Sequence, residues 1–376
     1  MEMGTMRVSS RQSINERVNI GGGKLSMPSW GFWGYSLRQL VCMILISILF
    51  PLTSIPSYCF ANPQYTTPLN LMEIVKFYSY DKNLPLDAEL ILKDENEWYR
   101  RYELKYKSQD DIVYSAYFEP KGIQKIPAVI GVHGMFSSDE EQFWQVADFM
   151  AKRGLAVLMP SLPFHHKRSK GIQVISGQKF VLVPFPTMKE NFRRAVIDMR
   201  RGLDWLGSRE NIDPEHLYIT GASLGGIISM LTHKVDPRLQ GGAFLVAGAG
   251  YQDIFTDSEN LVVKNYRMLS NIKLINVDKA IDILKPVDPV ALPDLWPRPV
   301  LMLNGTLDVI FPANETLQAA SSFHDAAVIW AESSHFYPIS GGQYLIADFL
   351  TRLSDRPLEL SLSEGATIKE TVLPPK

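Results

Sequence analysis

Apolar residues form two different patterns along the chain from about residue 97. Short apolar runs, such as residues 127–132 (PAVIGV) and 155–159 (LAVLM), are typical of strands that are buried on both faces. Other segments repeat apolar residues every three to four positions, which predicts amphipathic helices. The longest such pattern is Phe192, Ala195, Val196, Met199, Leu203 and Leu206, and a shorter one is Phe143, Val146, Ala147 and Met150. The two patterns alternate, which predicts an α/β fold.

The order of the predicted strands indicates a mostly parallel sheet. Residues 98–107 and 112–119 are rich in Tyr, Val and Ile and are predicted to open the domain as an antiparallel pair. Further strands are predicted at 216–220, 242–246, 300–303 and 327–330, with a helix from Leu224 and a last helix through Ile346, Phe349, Leu350 and Leu353. Strands that alternate with helices in this way form a parallel sheet covered by helices on both faces.

Two segments interrupt this rhythm, residues 161–186 and 251–297. Each follows the carboxyl end of a predicted strand, the edge at which open α/β sheets place their ligand sites. We therefore interpret both segments as lid or substrate-pocket insertions rather than as separate domains. Four aromatic residues of the second segment either line a pocket or form the segment's own core: Tyr251, Phe255, Tyr266 and Trp296.

The first sixty residues have a different character. Residues 40–52 (LVCMILISILFPL) form a nearly uninterrupted apolar run that is followed by a polar stretch ending in Ala61. This is the pattern of an export signal, and it predicts cleavage after Ala61 and an exported protein, periplasmic or secreted. The run is shorter than the about 20 residues that a membrane span needs. The alternatives are an uncleaved membrane anchor and a buried core helix. The predicted organisation is a signal peptide at 1–61, an N-terminal extension at 62–96, a main domain at 97–355 and a tail at 356–376.

The positions of the cysteines and the net charge argue against several kinds of functional site and partner. Both cysteines, Cys42 and Cys59, lie in the predicted leader, so the mature chain is expected to have no disulfide and no thiolate nucleophile. The formal net charge of −2, with no basic arm and no RNA-binding aromatic motif, argues against a nucleic-acid partner. The chain has no recognisable cofactor motif or metal-ligand pattern, so we expect neither a cofactor nor a metal.

The sequence GASLG at residues 221–225 is a GxSxG motif directly after the predicted strand HLYIT and directly before a predicted helix. In this setting the serine lies on a tight strand-to-helix turn that projects its hydroxyl, and small flanking residues such as Gly221 and Gly225 avoid clashes. The helix that begins at Leu224 would offer a backbone N–H to a negatively charged oxygen. The motif therefore predicts Ser223 as a nucleophile, although a serine in an ordinary glycine-rich turn is the alternative.

A serine nucleophile needs a base, and the base needs an acid that orients it. Asp308 follows the predicted strand PVLMLNG, and His335 follows the strand AVIWAE, so both stand on the same edge of the sheet as Ser223. Their order in the chain, Ser then Asp then His, is the order that this arrangement requires. Asp253 and Glu332 are competing candidates for the acid.

The sequence His133-Gly134-Met135 follows the strand PAVIGV. The backbone N–H of Met135, together with that of Leu224, can hold the oxyanion that forms when an ester carbonyl is attacked. Gly134 lets the main chain approach closely, and His133 is expected to orient the loop through hydrogen bonds rather than to transfer protons.

Residues 165–168 (HHKR) follow the strand at 155–159 at the predicted rim of the pocket. His165 and His166 could bind a substrate carboxylate or phosphate. The simpler interpretation is a solvated basic loop that is partly ordered by carboxylates, and a zinc site has little support because no carboxylate stands at ligand spacing nearby.

The HGM turn, the GASLG turn, the NGTLD loop around Asp308 and the SSH loop around His335 together resemble the α/β-hydrolase superfamily over residues 112–353. The branches that look most similar are the dienelactone-hydrolase-like esterases and the catalytic domains of prolyl-oligopeptidase-type peptidases. The resemblance implies the α/β-hydrolase fold and acyl transfer to water through a serine ester. The oxyanion turn has a single glycine before Met135, unlike the glycine run of many lipases, so the resemblance does not extend to that class.

The function that these features predict is an exported serine esterase acting on a small-molecule ester. A serine peptidase of the prolyl-oligopeptidase type is the alternative within the enzyme class. A non-catalytic binding protein with the same fold is the alternative outside it. Contact with a membrane is expected only if the leader is not cleaved.

Overall fold

The structure is a computed structural model, and it describes residues 69–137, 144–169, 175–335, 342–354 and 369–371. The predicted signal peptide and its cleavage after Ala61 lie outside the described residues. Among the helices that are described, none is both long enough and apolar enough to cross a membrane.

The described strands form one sheet in the order β1-β2-β3-β5-β4-β6-β7-β8-β9-β10. The strands are β1 (Glu89–Glu95), β2 (Tyr99–Ser108), β3 (Asp111–Pro120), β4 (Ile126–Val132), β5 (Ala156–Pro160), β6 (Ile212–Ala222), β7 (Leu239–Leu245), β8 (Val300–Gly305), β9 (Ala326–Ala331) and β10 (Lys369–Thr371). The six strands from β5 to β9 in this order run parallel, whereas β1, β2, β3 and β10 pair antiparallel. The predicted opening pair and the predicted parallel sheet are both present.

The helices fill the connections between the strands. They are α1 (Leu71–Phe77), α2 (Trp144–Ala151), α3 (Gln178–Val181), α4 (Phe185–Gly207), α5 (Leu224–Val235), α6 (Tyr251–Asp257), α7 (Leu261–Asn271), α8 (Val277–Leu284), α9 (Ala313–Ser321) and α10 (Gly342–Leu353). Short 3₁₀ turns occur at His166–Arg168, Lys285–Val287 and Pro289–Ala291. Helix α2 ends near Gly154, whose φ of +84° is a left-handed conformation that glycine adopts without steric cost.

The core lies on both faces of the sheet, because side chains alternate along each strand. In β4, Ile130 packs into a cluster with α4 and α5, whereas its neighbour Val129 packs into a second cluster with α2 and α10. Phe192 of α4 and Ile346 of α10 represent the two opposite layers. This layering is the predicted sheet with helices on both faces.

Two edge strands were not predicted. Strand β1 lies in the segment 62–96, which was expected only as an extension, and it pairs with β2 through Glu89 opposite Lys105. Its side chains are mostly exposed, Ile91 at 45% and Leu92 at 51%, so no alternation of buried and exposed positions marks the strand. Strand β10 lies in the tail 356–376 and pairs antiparallel with β9.

The two predicted insertions hold helices that contact each other. Residues 161–186 include the 3₁₀ turn and α3, and residues 251–297 include α6, α7 and α8. The Tyr266 hydroxyl on α7 donates to the Val181 carbonyl at 2.6 Å, and the rings of Phe185 and Tyr266 lie 4.9 Å apart. Their interpretation as lid or pocket elements stays a prediction.

Candidate active site

Ser223 lies between the last residue of β6 and the first residue of α5, and its backbone has φ 55° and ψ −120°. A non-glycine residue in such a sparsely populated region costs on the order of 1–3 kcal/mol and persists only where the surroundings enforce it. Here the Ser223 N–H donates to the Leu245 carbonyl of β7 at 3.0 Å, and its own carbonyl accepts from the Ile227 N–H at 3.1 Å. Sheet and helix therefore hold the turn from both sides.

The two flanking glycines of the motif lie where a side chain would clash. A Cβ at Gly221 would lie 2.4 Å from the Gly225 carbonyl oxygen, and a Cβ at Gly225 would lie 2.2 Å from the Val132 carbonyl oxygen of β4. Both contacts are with backbone atoms, which cannot move aside without displacing a strand or the helix. The sequence GxSxG thus lets α5 begin directly against the end of β4.

The structure brings Ser223, His335 and Asp308 into one hydrogen-bonded chain. His335 Nε2 lies 3.0 Å from Ser223 Oγ, and His335 Nδ1 lies 2.9 Å from Asp308 Oδ2. Because a carboxylate only accepts, Nδ1 carries the ring proton, and the Nε2 lone pair therefore faces the serine hydroxyl, which donates to it. This is the tautomer in which His335 can accept the serine proton.

Asp308 is held by the main chain as well as by the histidine. Its Oδ1 accepts from the backbone N–H groups of Ile310 at 2.8 Å and Phe311 at 3.0 Å. The Asp308 side chain is fully buried, and the His335 side chain is 8% exposed. The carboxylate thus has one oxygen fixed by the backbone and the other directed at His335.

The competing acids have different surroundings. Asp253 on α6 accepts from the side-chain amides of Asn314, at 2.6 Å, and Gln318 of α9. Glu332 is exposed to solvent. The geometry therefore selects Asp308 among the three carboxylates that the sequence offered.

The turn at His133, Gly134 and Met135 runs beside the nucleophile. A Cβ built on Gly134 would lie 3.5 Å from Ser223 Cβ and 3.4 Å from the Ala222 carbonyl oxygen. This places the main chain of the turn in van der Waals reach of the serine. Leu224 is the first residue of α5, so its N–H has no carbonyl one turn earlier in the helix to bond. The two predicted oxyanion donors therefore belong to segments that flank Ser223.

His133 is buried, and burial lowers its pKa to about 4, so the ring is neutral at physiological pH. Its Nε2 accepts from the Leu162 N–H at 3.0 Å. The ring proton is therefore on Nδ1, which donates to the Gly134 carbonyl at 2.8 Å. Both nitrogens join the main chain after β4 to the main chain after β5, which fits the predicted loop-structuring part.

Residues 165–168 were interpreted as a solvated basic loop that is partly ordered by carboxylates. The carboxylates are present, but solvation is wrong for two of the residues. His165 is fully buried, and burial lowers its pKa well below the ordinary range. Arg168 is 3% exposed and pairs with Asp198 at 2.7 Å and Asp111 at 3.0 Å. Only Lys167 is exposed. Within the described ranges, no three His, Cys, Asp or Glu side chains are grouped so that they could hold a metal ion.

One titratable residue near the site was missed by sequence reasoning. Glu315 on α9 is fully buried, and burial raises the pKa of its carboxyl to about 7, with Asp257, Asp253 and Asp308 adding to the shift. Nothing in the helix sequence ANETLQAAS distinguishes this glutamate from one facing solvent.

Comparison with known proteins finds one matching family model and several solved structures with a similar fold. Residues 187–331 match the model of the prolyl oligopeptidase family, a range that contains Ser223 and Asp308 and ends before His335. A polyketide transferase from Stachybotrys chlorohalonatus is 24% identical over 157 residues, which are 42% of this chain and 47% of that protein. The chain thus spans about half the length of this relative.

Among solved structures, acetyl xylan esterase 1 from Thermoanaerobacterium sp. JW/SL YS485 superposes with a TM-score of 0.62 at 17% identity, over 76% of this chain and 99% of that one. An acetyl xylan esterase from Paenibacillus sp. R4 gives 0.59 at 15% identity over the same shares. The acylaminoacyl peptidase of Pyrococcus horikoshii gives 0.50 at 14% identity, over 71% of this chain and 43% of that one. These similarities confirm the predicted α/β-hydrolase fold.

Proposed function

We propose that this protein is an esterase that hydrolyses small carboxylic esters through an acyl-enzyme on Ser223. The observation that carries the proposal is the continuous chain of hydrogen bonds from Ser223 Oγ through His335 to Asp308, at 3.0 and 2.9 Å. A scaffold without turnover would have no need for a strained serine whose hydroxyl faces a correctly protonated histidine.

In the proposed reaction, Ser223 Oγ attacks the ester carbonyl carbon while His335 Nε2 takes the hydroxyl proton. Asp308 stabilises the imidazolium that results. The negative charge on the former carbonyl oxygen is held by the N–H groups of Met135 and Leu224. The alcohol leaves with the proton from His335, and water then repeats the sequence on the acyl-enzyme and releases the acid.

Two lines of support favour esters over peptides. The similarity in fold extends over 99% of the two acetyl xylan esterase chains but over only 43% of the acylaminoacyl peptidase chain. Ester cleavage is also the less demanding reaction, because an alkoxide leaves more readily than an amine, which must be protonated as it departs. The match of residues 187–331 to the prolyl oligopeptidase family favours the second candidate, a serine peptidase.

The test compares purified mature protein with the Ser223→Ala variant. We expect wild-type protein to be labelled by a fluorophosphonate probe and the variant to be unlabelled, with kcat for ester hydrolysis lower by about 10⁴-fold or more. The ratio kcat/KM should be measured for nitrophenyl acetate, for unactivated alkyl esters and for aminoacyl coumarin amides. Efficient amide cleavage with negligible turnover of the alkyl esters would replace the esterase by the peptidase.

The proposed esterase is exported. Support comes from the apolar run at residues 40–52 and from the small-residue ending Cys59-Phe60-Ala61 that follows it. The expected partner is a small-molecule ester, and membrane contact would arise only from an uncleaved leader.

A further inference from the structure

The loop that carries Asp308 accepts hydrogen bonds from the turn between α6 and α7. The Ser258 hydroxyl donates to the Ile310 carbonyl at 2.6 Å, and the Glu259 N–H donates to the Val309 carbonyl at 2.8 Å. Ser258 is 1% exposed, so water does not compete for its hydrogen bond. These contacts reach the two residues that follow Asp308 directly.

The same two peptide groups also hold the carboxylate. The peptide group between Val309 and Ile310 accepts from Glu259 at its carbonyl and donates its N–H to Asp308 Oδ1. The next peptide group, between Ile310 and Phe311, accepts from Ser258 and donates its N–H to Asp308 Oδ1 as well. Two parallel chains of hydrogen bonds therefore run from the α6–α7 turn through a peptide group to one oxygen of the acid. Bonds in such chains polarise and strengthen one another.

The α6–α7 turn is itself well fixed. Arg267 on α7 donates to the Ser258 carbonyl at 2.9 Å and also contacts the Thr256 carbonyl. The Asn260 N–H donates to the Ser258 hydroxyl oxygen at 3.2 Å, which leaves the hydroxyl hydrogen committed to Ile310. The Asn260 side chain caps α7 by accepting from the Val262 N–H at 2.8 Å. These contacts fix the position of Ser258 relative to α7.

We propose that Ser258 is a positioning residue for the triad acid: its hydroxyl fixes the peptide group that anchors Asp308 Oδ1, so that Oδ2 stays directed at His335. The proposal rests on the proposed hydrolase function and deepens it. It also gives the segment 251–297 a part in catalysis other than lining a pocket. The turn between helices α6 and α7 would hold the acid loop in position through hydrogen bonds.

The first test replaces Ser258 by alanine. The Ile310 carbonyl then loses its buried donor, and we expect kcat for ester hydrolysis to fall about tenfold, the effect of roughly one hydrogen bond, with KM little changed. Ser258→Thr keeps a hydroxyl and should retain most of the activity. Ser270→Ala, a serine on α7 with no bond to the acid loop among the described residues, is the matched control and should leave kcat unchanged. Titration with a fluorophosphonate counts active sites, so a loss of folded protein is separated from a loss of kcat.

The second test asks whether Ser258 acts through the acid. In an Asp308→Asn background the remaining activity no longer depends on a positioned carboxylate, so Ser258→Ala should lower kcat by less than twofold. An equal tenfold loss in both backgrounds, or no loss of kcat in the wild-type background, would overturn the proposal. If Asp308→Asn alone had no effect, the assignment of the acid would fail instead, and the two failures are therefore distinguishable.

Discussion

Glu315 allows the electrostatics of the site to be tested through stability. It lies on α9, which follows the acid loop, and its side chain is fully buried. Neither carboxyl oxygen has a hydrogen-bond partner among the described residues. Burial raises its pKa from 4.5 to about 7, and the nearby carboxylates of Asp257, Asp253 and Asp308 add to the shift in that order. A proton is therefore retained by the folded protein at pH values where the unfolded chain has already released it.

The size and sign of the effect follow from this difference. Between pH 4.5 and 7 the folded state binds more protons than the unfolded state, so the free energy of unfolding decreases as pH rises. The raised pKa corresponds to a loss of about 3 kcal/mol in the free energy of unfolding. This loss is absent below pH 4.5 and complete above pH 7. Removing the charge at Glu315 should therefore stabilise the protein only toward neutral and alkaline pH.

The assay compares wild-type protein with Glu315→Gln by urea unfolding followed by tryptophan fluorescence at pH 4.5 and pH 8. The amide brings a constant offset of its own, so the measured quantity is the change in that difference between the two pH values. Between pH 4.5 and pH 8, we expect the free energy of unfolding of the variant to rise by about 3 kcal/mol relative to that of wild type. Glu215→Gln, at an exposed position of β6, should show no such gain. A difference that is the same at both pH values would refute a buried carboxyl that titrates near neutrality.

Three further outcomes are expected. Asp308→Asn should lower kcat by about 10⁴-fold, as an amide at the acid position favours the wrong histidine tautomer, whereas Asp253→Asn and Glu332→Gln should cost far less; steady-state kinetics of the three variants decides. Arg168→Met should lower the free energy of unfolding by about 3–5 kcal/mol, because it leaves Asp198 buried without its charged partner, while Lys167→Met at an exposed position should change it little in the same urea titration. Mass spectrometry of the native protein should give Asn62 as the first residue, and an intact leader in the membrane fraction would favour the anchor instead.

The interior of the sheet could be predicted from the sequence because its strands are buried on both faces. Strand β4 is buried at every position, as expected of the continuous apolar run PAVIGV. The triad candidates could be predicted for a related reason. Parallel strands end at a common edge, so residues that come shortly after β6, β8 and β9 are expected to lie near one another, even though Ser223 and His335 are 112 positions apart.

Features that depend on distant partners could not be predicted in this way. Arg168 looked like a surface residue because its neighbours His166 and Lys167 are polar. Its burial is made possible by Asp198, 30 positions away, and Asp111, 57 positions away, which no local pattern connects to it. The choice of Asp308 over Asp253 is of the same kind. Both follow strands at the active edge, and only the fold shows that Asn314 and Gln318 occupy Asp253.

Backbone strain is concentrated at the same edge of the sheet. Among the described residues, five of the nine non-glycine residues with positive φ lie within six residues of the carboxyl end of one of four neighbouring parallel strands. They are Phe136 (65°) after β4, Phe164 (65°) and His166 (48°) after β5, Ser223 (55°) after β6 and Val246 (40°) after β7. Glycine would adopt these angles without strain, and a β-branched residue such as valine is the least suited to them. A side chain retained at a cost of about 1–3 kcal/mol must contribute more than it costs, or be enforced by its surroundings. Val246 meets the second condition, because its N–H donates to the Leu303 carbonyl of β8 at 2.8 Å. The strained edge and the proposed catalytic edge coincide, as expected if rigid strands fix the nucleophile and the loops around it.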